Sequence, residues 1–223
     1  MLFRLLTSIL IFASLIKTEA SSDLIKETRE KISQINISFY ENGFPDKSVV
    51  SKLDKLFSEL KVKNIYTSSN VNEQEYKIKS NRLIKAFQEF ENYYQSKPEV
   101  DSLKKVFRNI NNEFNSLFGN HFLEELKKSS KKKIIVFSTS MSCECTLEMC
   151  YKQEAEIQKL LKENPVMFDY AVVDCFTNFD LQSKYDVGFI PVVLVLDKSG
   201  KEVKRFVREE NLYSEIKKYL TIN

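Results

Sequence analysis

For about the first 128 positions, apolar residues recur at three-to-four spacing, the period of helices that bury one face. Leu24, Ile25, Ile32, Ile35 and Ile37 begin the pattern, and Asn42-Gly43-Phe44-Pro45 breaks it. Asp46 is a candidate N-cap for a second helix carrying Val49, Val50, Leu53, Leu56, Phe57 and Leu60. Thr67-Ser68-Ser69-Asn70 reads as a polar loop. A long helix is expected from Asn72 to Ser96, with Tyr76, Ile78, Leu83, Ile84, Phe87, Phe90 and Tyr93 among its apolar positions. After Pro98, the stripe Val100, Leu103, Val106, Phe107, Ile110, Phe114, Leu117, Phe118 predicts another amphipathic helix. A short helix around Phe122–Leu126 follows, then the lysine run from Lys127 to Lys133, which reads as a solvated linker.

From there the period changes. Lys133–Ser138 reads as a strand and Cys145–Lys162 as a helix ended by Asn164-Pro165. Met167–Asp174 is a second strand and Asp180–Tyr185 a short helix. Val192–Asp197 and Glu202–Val207 are strands joined by the turn Lys198-Ser199-Gly200-Lys201. Asn211 is a candidate cap for a last helix through Leu220. The order β-α-β-α-β-β-α implies a small mixed sheet covered by helices, so the fold class is α/β preceded by an all-α region.

Composition narrows the function classes. The 223 residues suffice for one or two domains. Four glycines and four prolines argue against a turn-rich β-sandwich. A net charge of +3 is too small to argue for nucleic acid. His121 is the single histidine, which excludes His-rich metal sites and leaves little room for a Cys-His or Ser-His pair. It reads as an exposed or capping residue.

The first 20 residues have the pattern of a secretory signal: Arg4, the apolar run Leu5–Ile16, and the small-x-small site Thr18-Glu19-Ala20. The expected division is therefore a signal peptide (1–20), a helical region (21–128) and a sheet-bearing domain (129–223). No stable membrane span is expected after cleavage. Export would put the thiols in an extracytoplasmic, oxidising compartment, periplasmic or outside the cell.

All four cysteines lie between Cys143 and Cys175. Three form a C-x-C-x₄-C run, Cys143, Cys145 and Cys150, at the junction of the first strand and its helix. A helix start carries partial positive charge that stabilises a thiolate, so Cys143 and Cys145 are candidate nucleophiles. Cys150 and Cys175 are candidate resolving thiols. Two other readings stay open. The four cysteines allow three disulfide pairings of a purely structural kind. They also offer thiolates to a soft metal, Cu or Zn, with Met141 and Met149 as further ligands. Glu144 and Glu148 flank the thiols; they read as ordinary acidic residues suited to a helix start, the alternative being that they oppose thiol ionisation. Asp174 is either a proton acceptor or a turn cap. The helical region carries no recognisable chemistry and is read as packing, dimerisation or partner contact.

The segments Val172-Val173-Asp174 and Lys184-Tyr185-Asp186-Val187-Gly188-Phe189-Ile190-Pro191, with cysteines after the first strand, resemble the thioredoxin-like superfamily over roughly Lys131–Asn223. The resemblance implies a cis-proline at Pro191 facing the active cysteines. It also implies that Ile190 and Pro191 offer backbone to an extended peptide, and that the substrates are protein thiols or disulfides. It implies no cofactor. The chain departs from the family's C-x-x-C motif: one register puts Ser142 at the first thiol and Cys145 at the second, the next puts Cys143 first. The aromatic residue before the motif and an acidic residue inside the first strand are both missing.

Overall fold

A computed structural model describes residues 22–63 and 71–220. The expected signal peptide and the Thr67–Asn70 loop lie outside the described residues. The helical part holds α1 (22–40), α2 (Lys47–Lys63), α3 (Glu73–Gln95) and α4 (Val100–Lys128). The remainder runs β1 (Lys132–Ser138), α5 (Glu144–Glu163), β2 (Phe168–Asp174), α6 (Phe179–Lys184), β3 (Val192–Leu196), β4 (Glu202–Val207) and α7 (Leu212–Leu220).

Local chemistry explains the boundaries. Asp46 accepts the Ser48 N–H at 2.7 Å and starts α2. Asn72 does the same for Glu75 at the head of α3. Tyr76, Leu83, Phe87 and Phe90 fall on the buried stripe of α3, whereas Ile78 and Tyr93 lie off it and face outward. The separate helix expected at Phe122–Leu126 is the end of α4, which continues unbroken through Gly119. A Cβ at Gly119 would sit 2.9 Å from the Val172 carbonyl oxygen, so glycine is there for close approach to β2 rather than as a breaker. His121 is correspondingly mid-helix and half-buried, not an exposed cap. The lysine run is only partly a linker. Lys132 and Lys133 open β1, and Lys133 is buried, its Nζ donating to the Lys198 carbonyl at 2.6 Å.

Among the described residues the sheet has four strands in the order β2-β1-β3-β4. β1 is parallel to β2 and antiparallel to β3, and β3 is antiparallel to β4. One face, Ile134, Val136, Val193 and Val195, packs on Ile157 and Leu160 of α5 and Leu212, Ile216 and Leu220 of α7. The other face, Ile135, Phe137, Ala171, Val173, Val192 and Leu194, joins the apolar side of the helices in one continuous cluster with Phe107, Phe114 and Phe118.

β2 and β4 are the edge strands of this order, and at such an edge unpaired backbone groups would invite another chain; β2 is the one that faces the helical part. The helical part blunts that edge. Gly119 brings α4 against Val172, and the Arg29 guanidinium of α1 donates to the Tyr170 carbonyl at 2.7 Å. Arg29 also lies 4.0 Å from the Phe122 ring centroid and 3.6 Å from that of Tyr170. Beyond it, Asn36 bridges Asn111 of α4 and Gln158 of α5. The helices and the sheet are thereby tied by polar contacts as well as by the shared core.

Candidate functional site

Strand register gathers the loops of interest at one margin of the sheet. Ser138 at the end of β1 pairs with Asp174 at the end of β2, and Phe137 pairs with Val192 at the start of β3. The thiol-bearing turn after Ser138, Cys175 after Asp174, and Ile190-Pro191 before Val192 therefore all emerge there. The Ile190–Pro191 peptide bond is cis, as the resemblance implied. Pro191 is buried and its carbonyl accepts the Arg208 N–H at 3.0 Å, whereas Ile190 is half-buried.

Asp174 organises this margin. Its carboxylate accepts the Ser140 N–H at 2.9 Å, the Ser140 hydroxyl at 2.7 Å, the Phe176 N–H at 3.1 Å and the Thr177 hydroxyl at 3.1 Å. It is buried and tied to both loops, which fits a structural clamp better than a free proton acceptor.

The four thiols separate into two pairs. Cys143 is the N-cap residue of α5, with extended backbone, and its carbonyl accepts the Thr146 and Leu147 N–H groups. Cys143 and Cys145 are both exposed, with Sγ atoms 2.8 Å apart, and Cys143 Sγ lies 3.2 Å from the Thr146 hydroxyl. The Cys145 contact first, then the Thr146 hydroxyl, pulls the Cys143 thiol down from 9.0 to about 6. A thiol at that value is mostly thiolate at neutral pH, the nucleophilic form.

Cys150 and Cys175 are buried. Cys150 is seven residues beyond Cys143, two helical turns and about 10 Å along the axis. Burial, then the neighbouring Glu154, pushes the Cys150 thiol up to about 11. Burial, then Asp174 and Cys150, pushes Cys175 up to about 12. The Cys175 N–H pairs with the Ser138 carbonyl at 2.9 Å, and the buried Cys150 and Cys175 thiols are near enough for one to oppose the other's ionisation. They stay protonated where Cys143 ionises. Among the described residues, no three His, Cys, Asp or Glu side chains converge to hold a metal.

Two features of the site are ones the sequence pattern did not point to. Glu154 is buried beside Cys150, and desolvation, with Asp174 adding to it, raises its carboxyl to about 7. Its signal was faint but present, since Leu147, Cys150, Glu154, Ile157 and Leu161 share a helical stripe that Glu154 interrupts. The second feature is an apolar rim. Met141, Phe176, Phe179 and Phe189 are each between 60% and 70% exposed; Phe179 opens α6 and the other three lie in loops at this margin. Next to them, a groove of about 420 Å³ runs between the two parts of the molecule. Arg82, Glu89, Asn112 and Glu113 line its helical side, and Met141 and Phe176 the other. A larger cavity, about 730 Å³, lies at the opposite end of the sheet near Ser129, Pro165 and Asp169, away from the thiols.

The C-terminal half is thioredoxin-like in strand order, strand direction and the place of its cis-proline. Similar solved structures include thioredoxin from Fasciola hepatica (24% identity, TM-score 0.36), covering 44% of this chain and 88% of that one. Mitochondrial thioredoxin 3 from Saccharomyces cerevisiae is 16% identical, with TM-score 0.36, over 45% of this chain and 86% of its own. The germline-specific thioredoxin Deadhead from Drosophila melanogaster is 14% identical, with TM-score 0.39, over 46% and 93%. No family model and no curated protein sequence matches the chain.

Proposed function

We propose that this protein is an extracytoplasmic thiol-disulfide exchange protein that acts on polypeptide disulfides through Cys143 and Cys145. The observation that carries the reading is the exposed Cys143 thiol at the start of α5, lowered to about 6 with a second exposed thiol at 2.8 Å. In the forward step the Cys143 thiolate attacks a substrate disulfide R–S–S–R′. A Cys143–S–S–R bond forms, the S–S bond breaks, and R′S⁻ leaves to take a proton from water. Cys145 then attacks Cys143 Sγ and expels RS⁻, so the substrate gains two electrons and the protein holds a Cys143–Cys145 disulfide. When R′S⁻ instead attacks another substrate disulfide and the freed thiol displaces Cys143, the result is isomerisation with no net electron transfer.

The C-x-C spacing favours the second outcome. A bridge across one intervening residue closes a small strained ring, and strained disulfides are readily reduced. The apolar rim suits unfolded polypeptide, in which hydrophobic side chains flank mispaired cysteines. The export pattern of residues 1–20 supports the compartment, and among the described residues no helix is long and apolar enough to cross a membrane. The test is reactivation of a scrambled-disulfide substrate in glutathione buffer. Acceleration well above glutathione alone, with a trapped Cys143 mixed disulfide, is expected. A rate equal to buffer, with Cys143 unmodified, overturns the reading.

A further inference from the structure

The acidic residues around the exposed thiols have partners on the helical part of the molecule. Glu144, the residue between Cys143 and Cys145, receives Arg108 Nη1 of α4 on both carboxylate oxygens, at 3.2 and 3.1 Å. Arg108 Nη2 donates to Glu148 Oε2 at 3.0 Å, and Lys104 Nζ bonds the other Glu148 oxygen. The spacing matches on both sides: Lys104 and Arg108 are one helical turn apart, as are Glu144 and Glu148. The Arg108 side chain is only 9% exposed, whereas Glu144 and Glu148 are 60% and 45% exposed. A largely buried cation thus holds two carboxylates that would otherwise move freely in solvent beside the thiols.

We infer that Arg108 is a positioning residue for the Cys143–Cys145 site, clamping the first turns of α5 and neutralising the carboxylate between the two thiols. The charged and titratable groups in play are Lys104 and Arg108 from α4, and Glu144, Cys145, Glu148 and Tyr151 from α5. The Tyr151 phenol is pushed well up, first by burial, and stays neutral. With Arg108 removed, Glu144 gains a free negative charge and rotational freedom next to Cys143, and like-charge repulsion opposes the thiolate. This assigns the helical part a role in the chemistry, and it rests on Cys143 being the attacking thiol.

The test is the pH dependence of iodoacetamide alkylation at Cys143, read by mass spectrometry on the full protein. In Arg108→Gln the midpoint is expected to rise, with alkylation at pH 6 slowed about three- to tenfold. The double variant Arg108→Gln/Glu144→Gln is expected to return the midpoint toward wild type, a rescue that a purely structural loss would not produce. The single variant Glu144→Gln, at an exposed position, is expected to lower the midpoint and serves where Arg108→Gln does not fold. Unchanged midpoints in folded Arg108→Gln, or in Glu144→Gln, overturn the inference. If wild-type Cys143 itself has an ordinary midpoint, the proposed function falls instead.

Discussion

Two thiol pairs on the same helix-and-strand framework have opposite environments. Cys143 and Cys145 sit at the solvent-facing start of α5, where a neighbouring thiol and hydroxyl hold the Cys143 proton loosely. Cys150 sits two turns further along α5 and Cys175 just past the end of β2, both where burial and the charges of Glu154 and Asp174 hold their protons tightly. The same functional group therefore spans about five decades of acidity within roughly two helical turns. Position relative to the helix end and to solvent, not the residue type, decides which cysteine can attack.

The contrast can be broken most directly by deletion. Cys143→Ser is expected to reduce disulfide exchange by at least about a thousandfold, because the hydroxyl is not ionised at neutral pH. Cys150→Ala should change the exchange rate less than about threefold, while costing stability through the cavity it leaves. Comparable losses of exchange in both variants, measured on folded protein, would end the distinction.

A smaller effect reads the same contrast without mutation. At pH 7 Cys143 should be alkylated about thirty- to a hundredfold faster than Cys150 through ionisation alone, and burial of Cys150 widens the gap. Its far larger thiolate fraction outweighs the lower intrinsic nucleophilicity of a low-pKa thiol. Peptide mapping after timed quenching gives both rates. Equal rates would mean that the deeper pair is open to solvent.

The third prediction concerns the acid beneath the site. Glu154 keeps its proton to about 7 in the folded protein, against an ordinary carboxyl value of 4.5. Below 4.5 both states are protonated, and between the two values the unfolded chain ionises first. Stability is therefore lost as pH rises from 4.5 through 7, on the order of 3 kcal/mol. Glu154→Gln should remove that dependence, being close to wild type at pH 4.5 and more stable at pH 8. Urea unfolding at the two pH values checks it, and parallel wild-type and variant profiles would show Glu154 to be ionised or solvated.

Much of the framework was legible in the residues. The three-to-four stripes of α1 to α4 and the short apolar runs of β1 to β3 are local patterns, written within a few positions of one another. The turn at Gly200 and the proline before β3 are local as well. The helix at Phe122–Leu126 and the lysine linker were misread for one reason. Gly119 and Lys133 owe their roles to groups 53 and 65 positions away, the Val172 carbonyl and the Lys198 carbonyl.

What the sequence determined alone is the element order, the clustering of cysteines at a strand-to-helix junction, and the apolar N-terminal run. Each depends on neighbours along the chain. Only the tertiary structure divided the cysteines into exposed and buried pairs, kept Glu154 protonated, and gave Glu144 a cation 36 residues away in Arg108. Proton affinity is set by desolvation and by charges within a few ångströms, and those distances exist only once the helices have closed over the sheet.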